Sequence, residues 1–403
     1  MENNNRLLSG VKVVELSTFV AAPICAKALA EWGADVIKVE SLGGDPLRFR
    51  GIDSKMPIGD DENPNFDLEN SYKRTVGLNL KSPKGREIFD KLIADADVFV
   101  TNIRTAALVK MGLSYEQLSE KYPGIIFAQI LGYGEEGPDK DKPGYDFTGY
   151  FARGGILGTL YEKNTSPLVP VQGFGDHQCG MYLAGGICAA LYNKLRTGKG
   201  EKVTVGLYQA AIYAMGIMIT SANYGNSYPV SRKEVRQPLL NTYLTKDNRC
   251  LMVAVAEYDK YFTKFVETIG IPEIGNDENY CKLANLGSKN VELIEMISKQ
   301  IEQKNIDEWL EIFANADLPC EKAYLWEEIL EDEQAWANGY LRKVKYPSGN
   351  ERALPAMPVT FKNAGRPEHK IAPSIGENTD EILLSLGYSE DEIKEMKENK
   401  DIQ

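Results

Sequence analysis

The sequence is poor in histidine, has no closely spaced cysteines and has no long apolar run, and each absence argues against a class of protein. Only His177 and His369 occur among 403 residues, so a histidine-based metal site or a Ser-His-Asp triad has almost no side chains available. The six cysteines share no C-x-x-C spacing, which indicates reduced thiols rather than disulfides or a zinc site. No run of about 18 apolar residues occurs, and the start M-E-N-N-N-R has no apolar signal core. We therefore expect a cytoplasmic protein with no metal and no membrane span.

The charge balance and two missing motifs narrow the choice of ligand. A net charge of −12 argues against general nucleic-acid binding, because phosphates would be repelled. A small anionic ligand needs only a local cluster of Lys and Arg, so it stays possible. Neither G-x-G-x-x-G after the first strand nor G-x-S-x-G occurs, which makes a dinucleotide cofactor and a serine hydrolase poor hypotheses.

Short apolar strands alternate with helical patterns through the first half of the chain. A strand at 10–16, a helix at 23–32 and a strand at 35–40 form one β-α-β unit, and the alternation continues to a strand at 202–207. This pattern predicts a doubly wound α/β domain around a parallel sheet. Among the remaining segments we predict a long polar loop at 43–70, an irregular connection at 132–149, a buried helix at 208–224 and a strand at 359–361.

The length of the chain is sufficient for two domains. Composition shifts near 225–238, and a predicted hairpin at 243–257 with amphipathic helices follows. We therefore predict a large α/β domain over 1–224, a smaller α+β domain over 225–325, and a return to the large domain with C-terminal helices over 326–403.

One carboxylate, Asp176, is surrounded by glycines. It lies in the stretch G-F-G-D-H-Q-C-G-M-Y-L-A-G-G at 173–186, and a helical pattern runs from 178 to about 196. Asp is a preferred N-cap, and the helix dipole favours its charged form, so we expect Asp176 to be ionised near neutral pH. Flanking glycines let a ligand come close. The pattern fits a nucleophile, but on these residues alone an ordinary helix cap is the simpler interpretation.

Several stretches together resemble the class III CoA-transferase family, the group of formyl-CoA transferase and carnitine CoA-transferase. They are the opening G-V-K-V-V-E-L-S-T-F-V-A-A-P with G-A-D-V-I-K-V-E, K-R-T-V-G-L-N-L-K-S-P-K-G at 73–85, N-x-R at 102–104, P-G-Y-D at 143–146, G-D-H-Q at 175–178 and G-E-N-T-D-E at 376–381. The likeness runs nearly end to end. Within the family, G-D-P-L-R, D-L-E-N, E-D-E-Q-A-W-A-N and Y-P-S-G-N-E-R-A-L are similar to the branch acting on 2-hydroxy acids such as (R)-2-hydroxyisocaproate and (R)-phenyllactate.

The resemblance implies that Asp176 is the nucleophile. Its carboxylate would attack an acyl-CoA thioester to form a mixed anhydride, and the released CoA would return to form an aspartyl-CoA thioester. Backbone N–H groups at 173–175 or 154–155 would stabilise the oxyanions. The family needs no metal and no permanently bound cofactor, since coenzyme A enters as the acyl-CoA substrate. It also implies a homodimer of interlinked rings.

The resemblance also implies the residues that contact CoA. Lys81, Arg104 and Lys110 would meet the CoA phosphates on an otherwise acidic protein, although Lys110 taken singly is better interpreted as a solvated charge. The full implied set is Phe19, Val20, Leu78, Asn79, Lys81, Asn102, Arg104, Lys110, Tyr145 and Asp146.

Two alternatives stay open. An acyl-CoA racemase of the same fold would carry G-H-D where this chain has G-Y-D at 144–146, and tyrosine as a residue type is a poor base at neutral pH. A non-catalytic CoA-binding protein would leave Asp176 as a helix cap. The chain also departs from the family, because Val20 and Ser41 are small or apolar and no run of glycines occurs between 223 and 240.

Overall fold

The computed structural model describes residues 6–403 and divides into two compact units. The first contains the chain up to Ile156, Val169–Thr220 and Gln334–Gln403, and the second contains Leu157–Leu168 and Ser221–Glu333. The second unit thus contains the whole of the predicted small domain at 225–325, together with flanking residues and a separate segment for which we made no prediction.

Strands and helices have the following bounds. The strands are β1 Lys12–Leu16, β2 Asp35–Glu40, β3 Arg74–Gly77, β4 Val98–Thr101, β5 Ile126–Leu131, β6 Lys202–Gly206, β7 Leu240–Leu244, β8 Cys250–Ala254, β9 Cys320–Lys322, β10 Leu341–Lys345 and β11 Glu351–Pro355. The helices are α1 Ala21–Glu31, α2 Pro64–Asn70, α3 Pro83–Ala94, α4 Thr105–Met111, α5 Tyr115–Lys121, α6 Phe174–Thr197, α7 Leu207–Ala214, α8 Gly216–Ala222, α9 Tyr258–Ile269, α10 Leu283–Leu286, α11 Asn290–Ile301, α12 Ile306–Asn315, α13 Trp326–Leu330, α14 Glu333–Ala337, α15 Thr379–Ser385 and α16 Glu390–Glu398.

The first unit is built on a parallel sheet of β1 to β6 in the order β3-β2-β1-β4-β5-β6. Every neighbouring pair is parallel, so the predicted parallel α/β sheet is confirmed. Strand order reverses between β1 and β4, which pair from Val13 opposite Val98 to Leu16 opposite Thr101. Open α/β sheets bind ligands at the carboxyl ends of the strands beside such a reversal.

Helices α1 and α6 pack closely, and a glycine permits their approach. Every residue of α1 is buried. A Cβ atom at Gly180 of α6 would lie 2.1 Å from Cγ2 of Ile24 and 2.7 Å from the carbonyl oxygen of Ala21, so no larger residue fits without a shift. Because α1 follows β1 directly, this contact fixes the start of α6 relative to the carboxyl end of β1.

Two segments that we predicted as irregular contain helices. The predicted loop at 43–70 ends in α2, where the Asn63 side chain accepts a hydrogen bond from the N–H of Phe66 at 3.1 Å and thereby caps the helix. The predicted connection at 132–149 runs into a π-helix at Asp146–Arg153. Both predictions were wrong at these ends, because polar side chains that suggest loops also start helices.

Two further predictions were wrong. The segment 208–224 is divided between α7 and α8, and α8 has no buried residue; Tyr213 and Ile217 are 80% and 81% exposed in the single chain. No strand forms at 359–361; the late hairpin is instead made by β10 and β11, which pair antiparallel. Apolar composition alone does not show whether a face is covered within its own chain.

The second unit has an antiparallel sheet in the order β7-β8-β9. The predicted hairpin is confirmed by β7 and β8, with Asn248 in the left-handed region at φ 57°. The core beneath it contains aromatic side chains of α9 and α12, including Phe265, Trp309 and Phe313. Among residues 6–403, no helix combines the length and the apolar character needed to cross a bilayer.

Candidate active site

A cavity of about 180 Å³ lies at the carboxyl ends of β1, β4 and β5 in the first unit. Six of the predicted site residues meet on its wall, namely Asp176, Phe19, Val20, Asn102, Arg104 and Tyr145. The rest of the wall is formed by Thr18, Ala21, Ile130, Leu131, Gly132, Lys140, Lys142, Pro143, Gly144 and Leu207. This is the position at which the reversal of strand order predicts a ligand site.

Asp176 reaches this cavity from the first turn of α6. The helix begins at Phe174 with Gly173 as its N-cap, in the left-handed region at φ 80°. The interpretation of Asp176 as the cap was therefore wrong. The helix start is instead held by the buried Asp146, whose Oδ1 accepts a hydrogen bond from the N–H of Gly175 at 3.1 Å. A carboxylate 29 residues earlier in the chain thus performs the capping role and leaves Asp176 facing the cavity.

The surroundings of Asp176 favour its neutral form more than the sequence suggested. Burial, followed by the negative charges of Asp146 and Glu69, raises the pKa of Asp176 to about 7. The expectation of an ionised carboxylate at neutral pH is therefore met only in part, because desolvation and like charge oppose its ionisation. Burial likewise raises the pKa of Asp146 to about 6, against the hydrogen bonds of nearby N–H groups.

His177 partly offsets this crowding of acids. Its Nε2 lies 2.7 Å from Oε1 of Glu69 on α2, and Glu69 is buried. The negative charge of Glu69, which outweighs desolvation, raises the pKa of His177, and the resulting imidazolium lowers the pKa of Asp176. Glu69 was missed in the sequence because it lay within a predicted loop, 108 residues from His177.

Three cationic side chains surround the cavity. Arg104 follows β4, and its Nη1 donates to the carbonyl oxygen of Asp141 at 3.3 Å; Lys140 and Lys142 lie on the loop after β5. Cations grouped in this way suit phosphate groups. The two lysines were not predicted, because their charged, turn-rich loop was interpreted only as a connection. Its place after β5, at the same sheet edge as Arg104, was the available signal.

Asn102 lines the cavity, and its side-chain amide is hydrogen-bonded to the backbone of the neighbouring loop. Its Oδ1 accepts from the N–H of Thr18 at 3.1 Å, and its Nδ2 donates to the carbonyl oxygen of Thr18 at 2.6 Å. These two bonds tie the end of β4 to the loop after β1. Asn102 therefore shapes the wall through Thr18, whatever it contacts directly.

The remaining predicted residues lie away from the cavity wall. Leu78 is 1% exposed in the core, and the N–H of Asn79 donates to the carbonyl oxygen of Asp401 at 2.8 Å. Lys81 and Lys110 are exposed, and Asp146 lies under the start of α6. Contacts of CoA with these five residues stay predictions. Within residues 6–403, no three His, Cys, Asp or Glu side chains are grouped so as to hold a metal ion.

The fold and the site together define an α/β protein with a carboxylate and a cluster of cations at the point where the strand order of a parallel sheet reverses. The chain belongs to CoA-transferase family III, whose family model matches residues 8–379, and it is accordingly an enzyme, a class III CoA-transferase.

Two curated relatives and one solved structure are similar over nearly the whole chain. Cinnamoyl-CoA:phenyllactate CoA-transferase of Clostridium sporogenes is 50% identical over 406 aligned positions, covering 100% of this chain and 98% of the relative. (R)-2-hydroxy-4-methylpentanoate CoA-transferase of Clostridioides difficile is 50% identical over 394 positions, covering 98% of this chain and 99% of that relative. The crystal structure of a CAIB/BAIF family protein from Brucella suis superposes with a TM-score of 0.80 at 27% identity, covering 95% of this chain and 100% of that chain. The resemblance to this family, and within it to the 2-hydroxy-acid branch, is confirmed.

Proposed function

We propose that this enzyme transfers CoA between an acyl-CoA and a 2-hydroxy carboxylic acid, with Asp176 as the nucleophile. The observation that carries the proposal is the presence of Asp176 on the same cavity wall as Arg104, Lys140 and Lys142. A carboxylate that can attack a thioester and cations that can hold phosphates thus share one site. The names of the two relatives at 50% identity support the class of acceptor.

The proposed reaction proceeds without water. The Asp176 carboxylate attacks the thioester carbonyl, so a C–O bond forms, the C–S bond breaks and CoA leaves as a thiolate. The thiolate attacks the aspartyl carbonyl and expels the donor carboxylate, which leaves an aspartyl-CoA thioester. The acceptor carboxylate displaces CoA to form a second anhydride, and the thiolate then attacks the acceptor carbonyl and frees Asp176. Splitting one exchange into these steps conserves the energy of the thioester.

An acceptor screen tests the substrate class. With cinnamoyl-CoA as the donor, we expect transfer to (R)-phenyllactate or (R)-2-hydroxyisocaproate at rates well above those for formate or carnitine. Formation of the new thioester would be followed by mass spectrometry. Preference for formate or carnitine would refute the 2-hydroxy-acid assignment. With (R)-2-hydroxyisocaproyl-CoA in place of cinnamoyl-CoA, solvent deuterium entering the saturated α-carbon without any acceptor would indicate a racemase instead.

The pH dependence of the rate should report the ionisation of Asp176. Only the carboxylate attacks, so with its pKa at about 7 kcat/KM should be level above that pH and fall about tenfold per pH unit below it. His177→Gln removes the imidazolium and leaves Glu69 unpaired, and both changes raise the pKa of Asp176. We expect the acid limb to move upward by about one pH unit.

The second histidine provides the matched control for this profile. His369 also bonds a buried carboxylate, with its Nε2 2.7 Å from Oδ2 of Asp67, but it does not line the cavity. His369→Gln should leave the acid limb in place. If kcat/KM began to fall at the same pH in the wild type and in His177→Gln, the electrostatic role of His177 would be contradicted.

We also propose that the enzyme is a homodimer of interlinked rings, with 1–224 and 326–403 in the large domain and 225–325 in the small one. The large apolar side chains left exposed by the single chain, such as Tyr213 and Ile217, support a partner that covers them. Light scattering should give twice the mass of one chain at all concentrations. A stable monomer would refute the proposal.

A further inference from the structure

The loop between β1 and α1 forms one wall of the cavity and has an unusual backbone. Its residues Thr18, Phe19 and Val20 all line the cavity. Phe19 lies in the left-handed region at φ 63°, which residues other than glycine, asparagine and aspartate rarely adopt. Such a conformation persists only where surrounding contacts enforce it, and it often marks a functional site.

The contact that enforces it comes from Asp45, in the turn after β2. Oδ1 of Asp45 accepts a hydrogen bond from the N–H of Phe19 at 3.0 Å and a second from the N–H of Leu47 at 2.9 Å. Asp45 is 2% exposed, so no water competes for this oxygen. One buried carboxylate therefore joins the loop on the cavity to the turn after the neighbouring strand.

Asp45 belongs to a network of buried ion pairs with Lys38 on β2, Glu15 on β1 and Lys73 just before β3. Oδ2 of Asp45 lies 2.9 Å from Nζ of Lys38, and the same Nζ lies 2.8 Å from Oε1 of Glu15. The other carboxylate oxygen of Glu15, Oε2, lies 2.7 Å from Nζ of Lys73. All four side chains are shielded from solvent, so the network is isolated from salt and water.

This network also contacts the first residue of the same loop and the first turn of α1 that follows it. Nζ of Lys38 donates to the carbonyl oxygen of Ser17 at 3.3 Å, and Nζ of Lys73 donates to that of Pro23 at 2.9 Å. With the N–H of Phe19, three backbone groups in and beside this loop are therefore anchored to buried charges. Buried ion pairs often contribute little net stability compared with well-packed apolar residues, whereas here they determine the shape of a cavity wall.

We infer that Asp45 is a positioning residue for the CoA part of the substrate, acting through the backbone of Phe19. The inference rests on the proposed function and deepens it. By holding the backbone of Phe19, Asp45 places the Phe19 ring against the ring of Tyr145, edge to face with 6.2 Å between the ring centroids. The two aromatic side chains on the cavity wall are therefore held in place together. Asp45 acts on the binding of CoA rather than on the chemistry at Asp176, which lies on α6.

Binding of free CoA, measured by calorimetry, tests this role. Asp45→Ala removes the anchor of Phe19, and we expect the Kd for CoA to rise about tenfold. Asp45→Asn keeps an oxygen for the N–H of Phe19 but loses the charge facing Lys38, so a smaller rise of about threefold is expected. In turnover assays the KM for acyl-CoA should rise in the same order while kcat changes little.

Asp67 provides a matched control, because it is as deeply buried as Asp45 and accepts a hydrogen bond from the N–H of Ala372 at 2.8 Å without lining the cavity. Asp67→Ala should lower the melting temperature but leave the Kd for CoA unchanged. Equal CoA binding by wild type and Asp45→Ala, or equal weakening by Asp67→Ala, would overturn the inference. If either alanine variant fails to fold, Asp45→Asn and Asp67→Asn are compared in the same way. Failure of the wild type itself to bind CoA would instead refute the proposed function.

Discussion

Asp176→Asn is expected to reduce kcat by at least about 1,000-fold, because an amide cannot attack a thioester and no other carboxylate lines the cavity within the described residues. The substitution is nearly isosteric, so α6 and its contact with Asp146 should persist. Loss of activity with an unchanged melting curve would therefore report chemistry rather than unfolding. Turnover of acyl-CoA with a 2-hydroxy-acid acceptor is the measurement.

Trapping makes the same test chemically specific. With acyl-CoA and hydroxylamine, the wild type should carry a hydroxamate on the peptide that contains Asp176, and Asp176→Asn should not. Asp380→Asn serves as the control, since Asp380 is an exposed residue of α15 paired with Lys397. It should retain the wild-type rate. Undiminished turnover by Asp176→Asn would refute covalent catalysis at this residue.

Gly175→Ala is expected to reduce kcat/KM by about 100-fold, because displacing a catalytic group by an ångström is enough for such a loss. A Cβ atom at Gly175 would lie 2.2 Å from Cγ of Tyr150 and 2.5 Å from Oδ1 of Asp146. The start of α6 must then move, and Asp176 moves with it. The effect should appear in activity assays even where the protein still folds.

Gly185→Ala in the same helix is the control for this substitution. Apart from the adjoining backbone of α6, no atom lies within 4 Å of a Cβ built at Gly185, and alanine is favoured over glycine in a helix by about 0.5–1 kcal/mol. This variant should be at least as stable as the wild type and keep its rate. Similar losses in both variants would show that a methyl group is harmful anywhere along α6, and the geometry around Gly175 would then not be the specific cause.

The environment of Asp176 shows where sequence-based prediction ended. The glycines around Asp176 and the helix after it could be predicted from the sequence, since both are local patterns. The pKa of Asp176 could not be predicted, because Asp146 and Glu69 belong to elements distant in sequence and their burial depends on the packing of α6. The cap of α6 was misassigned for the same reason: an acceptor from another segment satisfied the N–H of Gly175.

The cationic side of the cavity was predicted in part. Arg104 was expected from the family resemblance and lines the cavity, whereas Lys140 and Lys142 were missed and Lys81 and Lys110 lie elsewhere. Single charges in a sequence are mostly solvated surface groups. Only the order of the strands shows that the loops after β4 and β5 open at one edge, so only the structure distinguishes the cations that converge.

Periodicity and ordered motifs are local properties of the chain, so they were enough to predict the alternation of strands and helices, the parallel sheet and the membership of a CoA-transferase family. Three features could be read only from the packed fold: the carboxylate that caps α6, the incomplete ionisation of Asp176, and the hydrogen bond between Asp45 and Phe19. Each of these depends on desolvation and on distances between segments far apart in sequence, which arise only when the chain is packed.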